Sequence, residues 1–255
     1  MTHHDDGEMA CRLADEAGRV LLELRSSLNG EESKELGTAA DAASHRALVG
    51  ALARLCPGDA VLSEEAVDDP ARLTARRVWI IDPLDGTREF TETGRVDWAV
   101  HVALVADGEL VAGAVALPAQ GITLTTSAPP ALLPARSGAV RMLVSRTRPP
   151  AAATAVAREL DAELVPMGSA GAKAMAVVLG EGDVYLHAGG QYEWDSAAPV
   201  AVARAAGLHT SRLDGSPLRY NQPDPWLPDL VICRSELAEH VIALAGAAAD
   251  GQGTE

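Results

Sequence analysis

The chain has 255 residues, 47% of them apolar, and carries a formal net charge of −15 at neutral pH with three cysteines. That much apolar material fills one sizeable core or two packed halves, while the acidic balance argues against a protein that coats a nucleic-acid polymer, which needs clustered Lys and Arg. Cys11, Cys56 and Cys233 are scattered and odd in number, so neither a disulfide framework nor a zinc ribbon is supported and buried free thiols are expected. No apolar run approaches the ~18 residues of a membrane span, and the polar start lacks the apolar stretch of a leader, so a cytoplasmic, membrane-free protein is expected. His3 and His4 at the start read as a solvated pair.

Apolar residues recur at three- and four-residue steps over 8–28, one face of a helix that Asn29-Gly30 should stop. A second helix is expected over 38–55, with Cys56-Pro57-Gly58 as its stop. A short strand at Val61-Leu62 leads into Ser63-Glu64-Glu65, and Val78-Trp79-Ile80-Ile81 reads as a buried strand ended at Asp82-Pro83-Leu84-Asp85-Gly86-Thr87. Strands over 97–105 and 109–117 flank Asp107-Gly108, a strong hairpin signal, and 121–126 adds a third strand to an antiparallel meander. Pro129, Pro130 and Pro134 interrupt all periodicity within 127–138. The chain therefore divides into an N-terminal α+β half, 1–130, and a C-terminal α/β half, 131–255, in which strands 140–145, 163–166 and 183–186 alternate with helices 151–160, 170–179 and 196–206.

Three acidic groups stand at strand ends or helix starts: Glu64-Glu65, then Asp82 with Asp85, then Asp195. Hard divalent cations such as magnesium take oxygen ligands from carboxylates, water and substrate phosphate. In the Asp82-to-Thr87 segment, proline fixes one φ and glycine permits a sharp bend, so two carboxylates can converge, with the Leu84 carbonyl between them as a further oxygen. Taken singly, each group has a plain alternative. Asp-Pro-x-Asp-Gly makes ordinary turns, Trp194-Asp195 can be an aromatic beside a helix N-cap, and Thr38 with Asp41 fits a cap and first turn.

Together and in this order, Ser63-Glu64-Glu65, the run from Trp79 to Phe90 (Trp-Ile-Ile-Asp-Pro-Leu-Asp-Gly-Thr-Arg-Glu-Phe), and Trp194-Asp195-Ser196-Ala197-Ala198-Pro199 resemble the signature set of the inositol monophosphatase superfamily. Thr38-Ala39-Ala40-Asp41 and Gly168-Ser169-Ala170-Gly171 match two further segments of that family. The resemblance implies a layered α/β/α/β/α sandwich and a phosphatase in which Glu64, Asp82, the Leu84 carbonyl, Asp85 and Asp195 hold two or three magnesium ions. It further implies in-line attack by water oriented or deprotonated by Thr87 and Asp41, on a small phosphorylated substrate cradled by Gly86, Gly168 and Ser169, with lithium as an inhibitor. A homodimer is compatible with it.

Arg88-Glu89-Phe90 after the acidic turn resembles the CysQ-type bisphosphate-nucleotidase branch, and residues 186–191 lack the acidic side chain that inositol-selective members place before Trp-Asp. This branch implies removal of the 3'-phosphate of adenosine 3',5'-bisphosphate, and of its sulfated form, in sulfur assimilation. Inositol 1-phosphate and fructose 1,6-bisphosphate are the rival substrates, and a non-catalytic metal- or nucleotide-binding regulator is the rival of another class. Lys173 stands where the branch would meet a second phosphate, its plain alternative being a solvated helix lysine. Where several members have an arginine, this chain has His187, read here as a structural strand residue, with Arg212 or Arg219 as substitutes for the missing cation. His101, inside an apolar strand, is expected in the core.

Overall fold

The computed structural model describes residues 3–27 and 34–250, with side chains from 5 to 26 and from 34 to 247. The expected helix stop at Asn29-Gly30 and the His3-His4 side chains lie outside the described residues. Helix α1 (His3–Ser27) begins earlier than its periodicity implies, because Asp5 and Asp6 favour the positive end of the helix dipole. Helix α2 (Lys34–Leu55) also begins early, which places Thr38 inside it. The Thr38 hydroxyl donates to the Lys34 carbonyl at 3.2 Å, so the expected cap at Thr38 and Asp41 does not form.

The first sheet has the order β1 (Ala60–Ser63), β2 (Arg77–Asp85), β3 (Ala99–Ala106), β4 (Glu109–Leu117), β5 (Ile122–Thr125), with β1 parallel to β2 and the rest antiparallel. At the β3–β4 hairpin Asp107 and Gly108 take φ of 49° and 85°, both left-handed, as a two-residue primed turn requires. Strand β2 does not stop at Asp82. It runs on to Asp85 through a register shift against β3, between Asp82 and Asp85, where Pro83 interrupts the ladder. A one-turn helix α3 (Thr87–Thr91) follows Gly86.

The second sheet, in the order β7-β6-β8-β10-β9, is built from β6 (Arg141–Ser145), β7 (Glu163–Met167), β8 (Val184–Tyr192), β9 (His209–Ser211) and β10 (Trp226–Cys233). Helices α4 (Ala151–Glu159), α5 (Ala170–Val178), α6 (Glu193–Ala205) and α7 (Ala238–Asp250) complete it. Strand β10 escapes sequence reading because Pro228 and Asp229 break its pattern; Pro228 falls at a register shift against β8, between Leu227 and Asp229.

Alternation along the strands sets the layers. Trp79 and Ile81 of β2 pack with Leu13, Leu21, Leu48 and Leu52 of α1 and α2. Val78 and Ile80 turn the other way, into one core with Ala174, Val177, Ala198 and Val202 of α5 and α6, and Tyr185 of β8 closes that core from the second sheet. On the far side Val184 and Leu186 meet Val156 of α4 and Val241 of α7. The result is the expected α/β/α/β/α sandwich, with α5 and α6 between the sheets. Cys56 and Cys233 are buried free thiols as expected, whereas Cys11 is only half-buried, 3.9 Å from the Asp15 carboxylate. No described helix is long and apolar enough to cross a membrane.

Candidate active site

The central layer brings the end of β2 to the start of α6. One carboxylate oxygen each from Asp82, Asp85 and Asp195 lies within 4.8 Å of the others. Asp82 is 1% exposed; burial first, then Glu64, Asp85 and Asp195, push its carboxyl well above the usual range, against a single backbone donor, Leu84 N–H at 3.0 Å. Glu64, at the end of β1, is raised to about 7 by burial of its carboxylate and by Asp195, although the residue as a whole is exposed. Asp195 is raised to about 6 by burial and by Asp85. It sits in the first turn of α6 rather than ahead of the helix, and its carboxylate accepts from the Tyr192 N–H at 2.6 Å.

Asp85 is held differently. Burial alone would raise its carboxyl, but His101, Lys173 and Ser169 outweigh burial and leave it below the usual carboxylate range. Its Oδ2 accepts from Gly171 N–H at 2.7 Å and from the Ser169 hydroxyl, while His101 Nε2 stands 3.3 Å away. His101 is fully buried as expected, yet it is also a site residue: Nδ1 lies 3.0 Å from the Trp194 carbonyl, which can only accept, so Nδ1 carries a proton. Gly171 makes room for this ring, since a Cβ there would lie 2.0 Å from Nε2. Ser169 takes a φ of 49°, unusual for a residue with a side chain, and its hydroxyl also accepts from Ala172 N–H at 2.9 Å. The first turn of α5 is thus committed to Asp85 and Ser169, and Gly168 N–H to Asp97 at 2.6 Å, so these groups are not the free phosphate donors expected after Gly168.

Asp41 lies on the α2 side of the site, its carboxyl raised to about 7 by burial and Glu65, with the Thr87 hydroxyl opposing the rise. Thr87 donates to the Leu84 carbonyl at 3.2 Å, which places that oxygen between the acidic turn and the Asp41 side. Lys173 is not a solvated lysine: it is 5% exposed, and its ammonium donates to the carbonyls of Gly168 at 3.2 Å and Ser169 at 2.5 Å, 5.3 Å from the Tyr185 ring centre. A cleft of about 420 Å³ opens on Asp85, Gly86, Ser169, Lys173 and Asp195, and His187 lines it with Nε2 2.9 Å from the Gly190 carbonyl. Neither suggested arginine reaches this cleft; Arg212 pairs with Asp229 at 2.7 Å, and Arg219 is not among its lining residues. Glu89, Gln191 and Trp226 do line it. Gln191 and Trp226 carry no sequence signal because Gly189-Gly190 and Pro228 make their segments read as turns, while Glu89 stands out only as part of the Arg88-Glu89-Phe90 run.

Asp82 and Asp85 are buried and Asp195 is half-buried, and among the described residues His101 and Lys173 offset the charge of Asp85, an arrangement that fits divalent cations. The model of the inositol monophosphatase family matches residues 5–129 and 136–249, and the chain belongs to that family. It is 53% identical over 248 residues to a 3'-phosphoadenosine 5'-phosphate phosphatase of Mycobacterium leprae (strain TN), covering 91% of this chain and 90% of that one. It is 30% identical to the 3'(2'),5'-bisphosphate nucleotidase CysQ of Escherichia coli (strain K12), over 86% of this chain and 96% of that one. The crystal structure of CysQ from Bacteroides thetaiotaomicron superposes with a TM-score of 0.78 at 27% identity, over 91% of this chain and 97% of that one.

Proposed function

We propose that this chain is a magnesium-dependent phosphatase that removes the 3'-phosphate of adenosine 3',5'-bisphosphate, releasing AMP, and acts likewise on the sulfated analogue in sulfur assimilation. The convergence of Asp82, Asp85 and Asp195 within 4.8 Å beside a cleft carries the reading, and the identity to named 3'-phosphoadenosine 5'-phosphate phosphatases supports the substrate. Glu64, Asp82, the Leu84 carbonyl, Asp85 and Asp195 are the residues that would hold two or three magnesium ions. When bound, such ions neutralise the phosphoryl oxygens and polarise the phosphorus centre. The chain itself supplies position. The cleft lies between the halves 1–130 and 131–255, and in-line attack needs a water fixed opposite the leaving oxygen. Asp41, with a carboxyl near neutrality, takes the proton of that water, and the Thr87 hydroxyl orients it. Lys173, whose pKa burial lowers against the opposing pull of Asp85, Glu89 and Asp195, stands where a second phosphate adds binding energy remote from the reacting one.

Phosphate release should be measured on adenosine 3',5'-bisphosphate, inositol 1-phosphate and fructose 1,6-bisphosphate, each with magnesium and with excess chelator. The expected result is the highest kcat/KM on adenosine 3',5'-bisphosphate, no turnover in chelator, and inhibition by lithium chloride but not by matched sodium chloride. Undiminished turnover in chelator overturns the metal role; a preference for inositol 1-phosphate overturns the substrate alone.

A further inference from the structure

Between β1 and β2 the chain runs over the surface, and from Glu64 to Thr74 every residue but one is exposed. The exception is Arg72, 1% exposed, in a short turn over Pro70–Thr74. A buried arginine in a wet loop is unusual, since its charge leaves water only for good partners. Its guanidinium Nε and Nη2 fork onto Asp68 at 2.6 and 2.9 Å. Nη1 donates to Asn221 Oδ1 at 2.7 Å, and Nη2 also donates to the Gln222 carbonyl at 2.9 Å. Asn221 returns a bond from its carboxamide nitrogen to the Arg72 carbonyl at 3.3 Å. Among the described residues, no other side chain from 66 to 74 is hydrogen-bonded outside this loop. The gripped segment is held in turn by Glu193, also 1% exposed, whose carboxylate oxygens accept from Asn221 N–H at 2.6 Å and Gln222 N–H at 2.7 Å. Glu193 opens α6, and Asp195 follows it by two residues.

A buried chain of charges is a poor source of stability, because apolar residues of similar volume often serve at least as well; what it does supply is one fixed geometry. Here its two ends stand beside two acidic residues from different elements, Glu64 at the end of β1 and Asp195 in α6. Asp82 and Asp85 need no such device, since both belong to β2. We propose that Arg72 is a positioning residue of the cation site: it joins the loop behind Glu64 to the segment bound to the head of α6, and so sets the spacing of Glu64 and Asp195. Without the bridge, Glu64 rides on a loop whose remaining side-chain bonds are internal. Arg72 does not line the cleft and acts only through Asn221, Gln222 and Glu193. Outer partners of this kind typically change metal affinity about 10- to 100-fold when lost. This inference rests on the magnesium-dependent reading above, with Glu64 and Asp195 among the ligands.

The test uses wild type, Arg72→Lys, Asn221→Gly and the double variant. Lysine keeps the charge beside Asp68 but cannot fork to Asn221 and Gln222. Glycine accepts the left-handed φ of 57° at position 221 while removing the side chain that Arg72 grips, so it cuts the bridge from its far end even where Arg72→Lys fails to fold. Three quantities are measured on each folded variant: Tm in chelator, magnesium affinity by titration calorimetry, and kcat and KM on adenosine 3',5'-bisphosphate across a magnesium series. Each single variant should bind magnesium about tenfold more weakly, with kcat regained at raised magnesium and the substrate KM there unchanged within about twofold. The double variant should lose far less than the product of the single losses, because either change alone opens the bridge. A lowered Tm with wild-type magnesium affinity makes Arg72 a brace of the fold and overturns the proposal, as do losses that multiply or a kcat that magnesium does not restore. Those results leave the magnesium-dependent reading standing; a wild type that binds no magnesium and turns over undiminished in chelator overturns both.

Discussion

Replacing Asp82 with Asn should raise the stability of the metal-free protein and at the same time abolish its response to magnesium. Asp82 is 1% exposed, and its carboxylate lies within 4.8 Å of those of Asp85 and Asp195. Two unit charges at that spacing repel by about 3 kcal/mol at an effective dielectric constant near 20. Protonation relieves part of this in the folded chain, which leaves a net gain of about 1–3 kcal/mol on removing the charge. The sign follows from linkage. The folded-state pKa of Asp82 is raised by burial and by Glu64, so the folded chain binds that proton more tightly than the unfolded one. Stability contributed by the group is complete below the unfolded value and is lost as pH rises through the folded one. The gain from Asn is therefore larger at pH 8 than at pH 5. Asn keeps the oxygen that accepts from Leu84 N–H, so the turn survives. Thermal melts in chelator at pH 8 should show a rise of at least about 2 °C for a chain of this size. Magnesium should raise the wild-type Tm by mass action and leave the variant unmoved, and kcat/KM should fall at least about 100-fold. A variant less stable than wild type in chelator, or one that keeps the magnesium-dependent rise, refutes the reasoning.

With Asp41 raised to about 7, kcat/KM of the wild type should fall as pH drops through that value, because the protonated carboxyl cannot accept a proton from water; Asp41→Asn should be slow and flat across the range, and an unaltered acid limb in that variant assigns the titration elsewhere. His101→Gln should weaken magnesium binding about 10- to 100-fold, since the ring ties Asp85 to the Trp194 carbonyl; titration calorimetry with unchanged affinity would reduce His101 to filler. Lys173→Met should penalise adenosine 3',5'-bisphosphate more than a monophosphate, by about 1–3 kcal/mol. Equal penalties in steady-state assays would confine Lys173 to its contacts with the Gly168 and Ser169 carbonyls.

The layered fold was legible because its strands and helices keep clean periods. Trp79 and Ile81 face one layer and Val78 and Ile80 the other, an alternation visible in the sequence. What escaped was broken by residues with local reasons to be there. Pro228 at a register shift hid β10, and Gly189-Gly190 hid the second half of β8, because both read as turns. The acidic members of the site were visible as residue types at strand ends. Their support was not. His101 offers no signal beyond an apolar strand, yet it lies against Asp85 because β3 and the start of α6 meet in space. Lys173 reads in the sequence either as a contact for a second phosphate or as a solvated lysine, since one lysine on an alanine-rich helix leaves the buried face undecided, and the docking of α5 between two sheets buries it.

The carboxylates of the cluster differ in what else they do. Asp85 closes the start of α5 through Gly171 N–H and the Ser169 hydroxyl, and Asp195 closes the start of α6 through Tyr192 N–H, whereas Asp82 closes neither helix. Two of the acidic side chains are thus structural keystones of the layer that both sheets share, and they cannot be given up by drift without loosening it. A descendant that abandoned chemistry for binding would be free to neutralise Asp82 first and would keep Asp85 and Asp195 long after their catalytic use had ended. The presence of those two alone therefore says little about whether a member of this family still turns over substrate, and the residue at position 82 says a great deal.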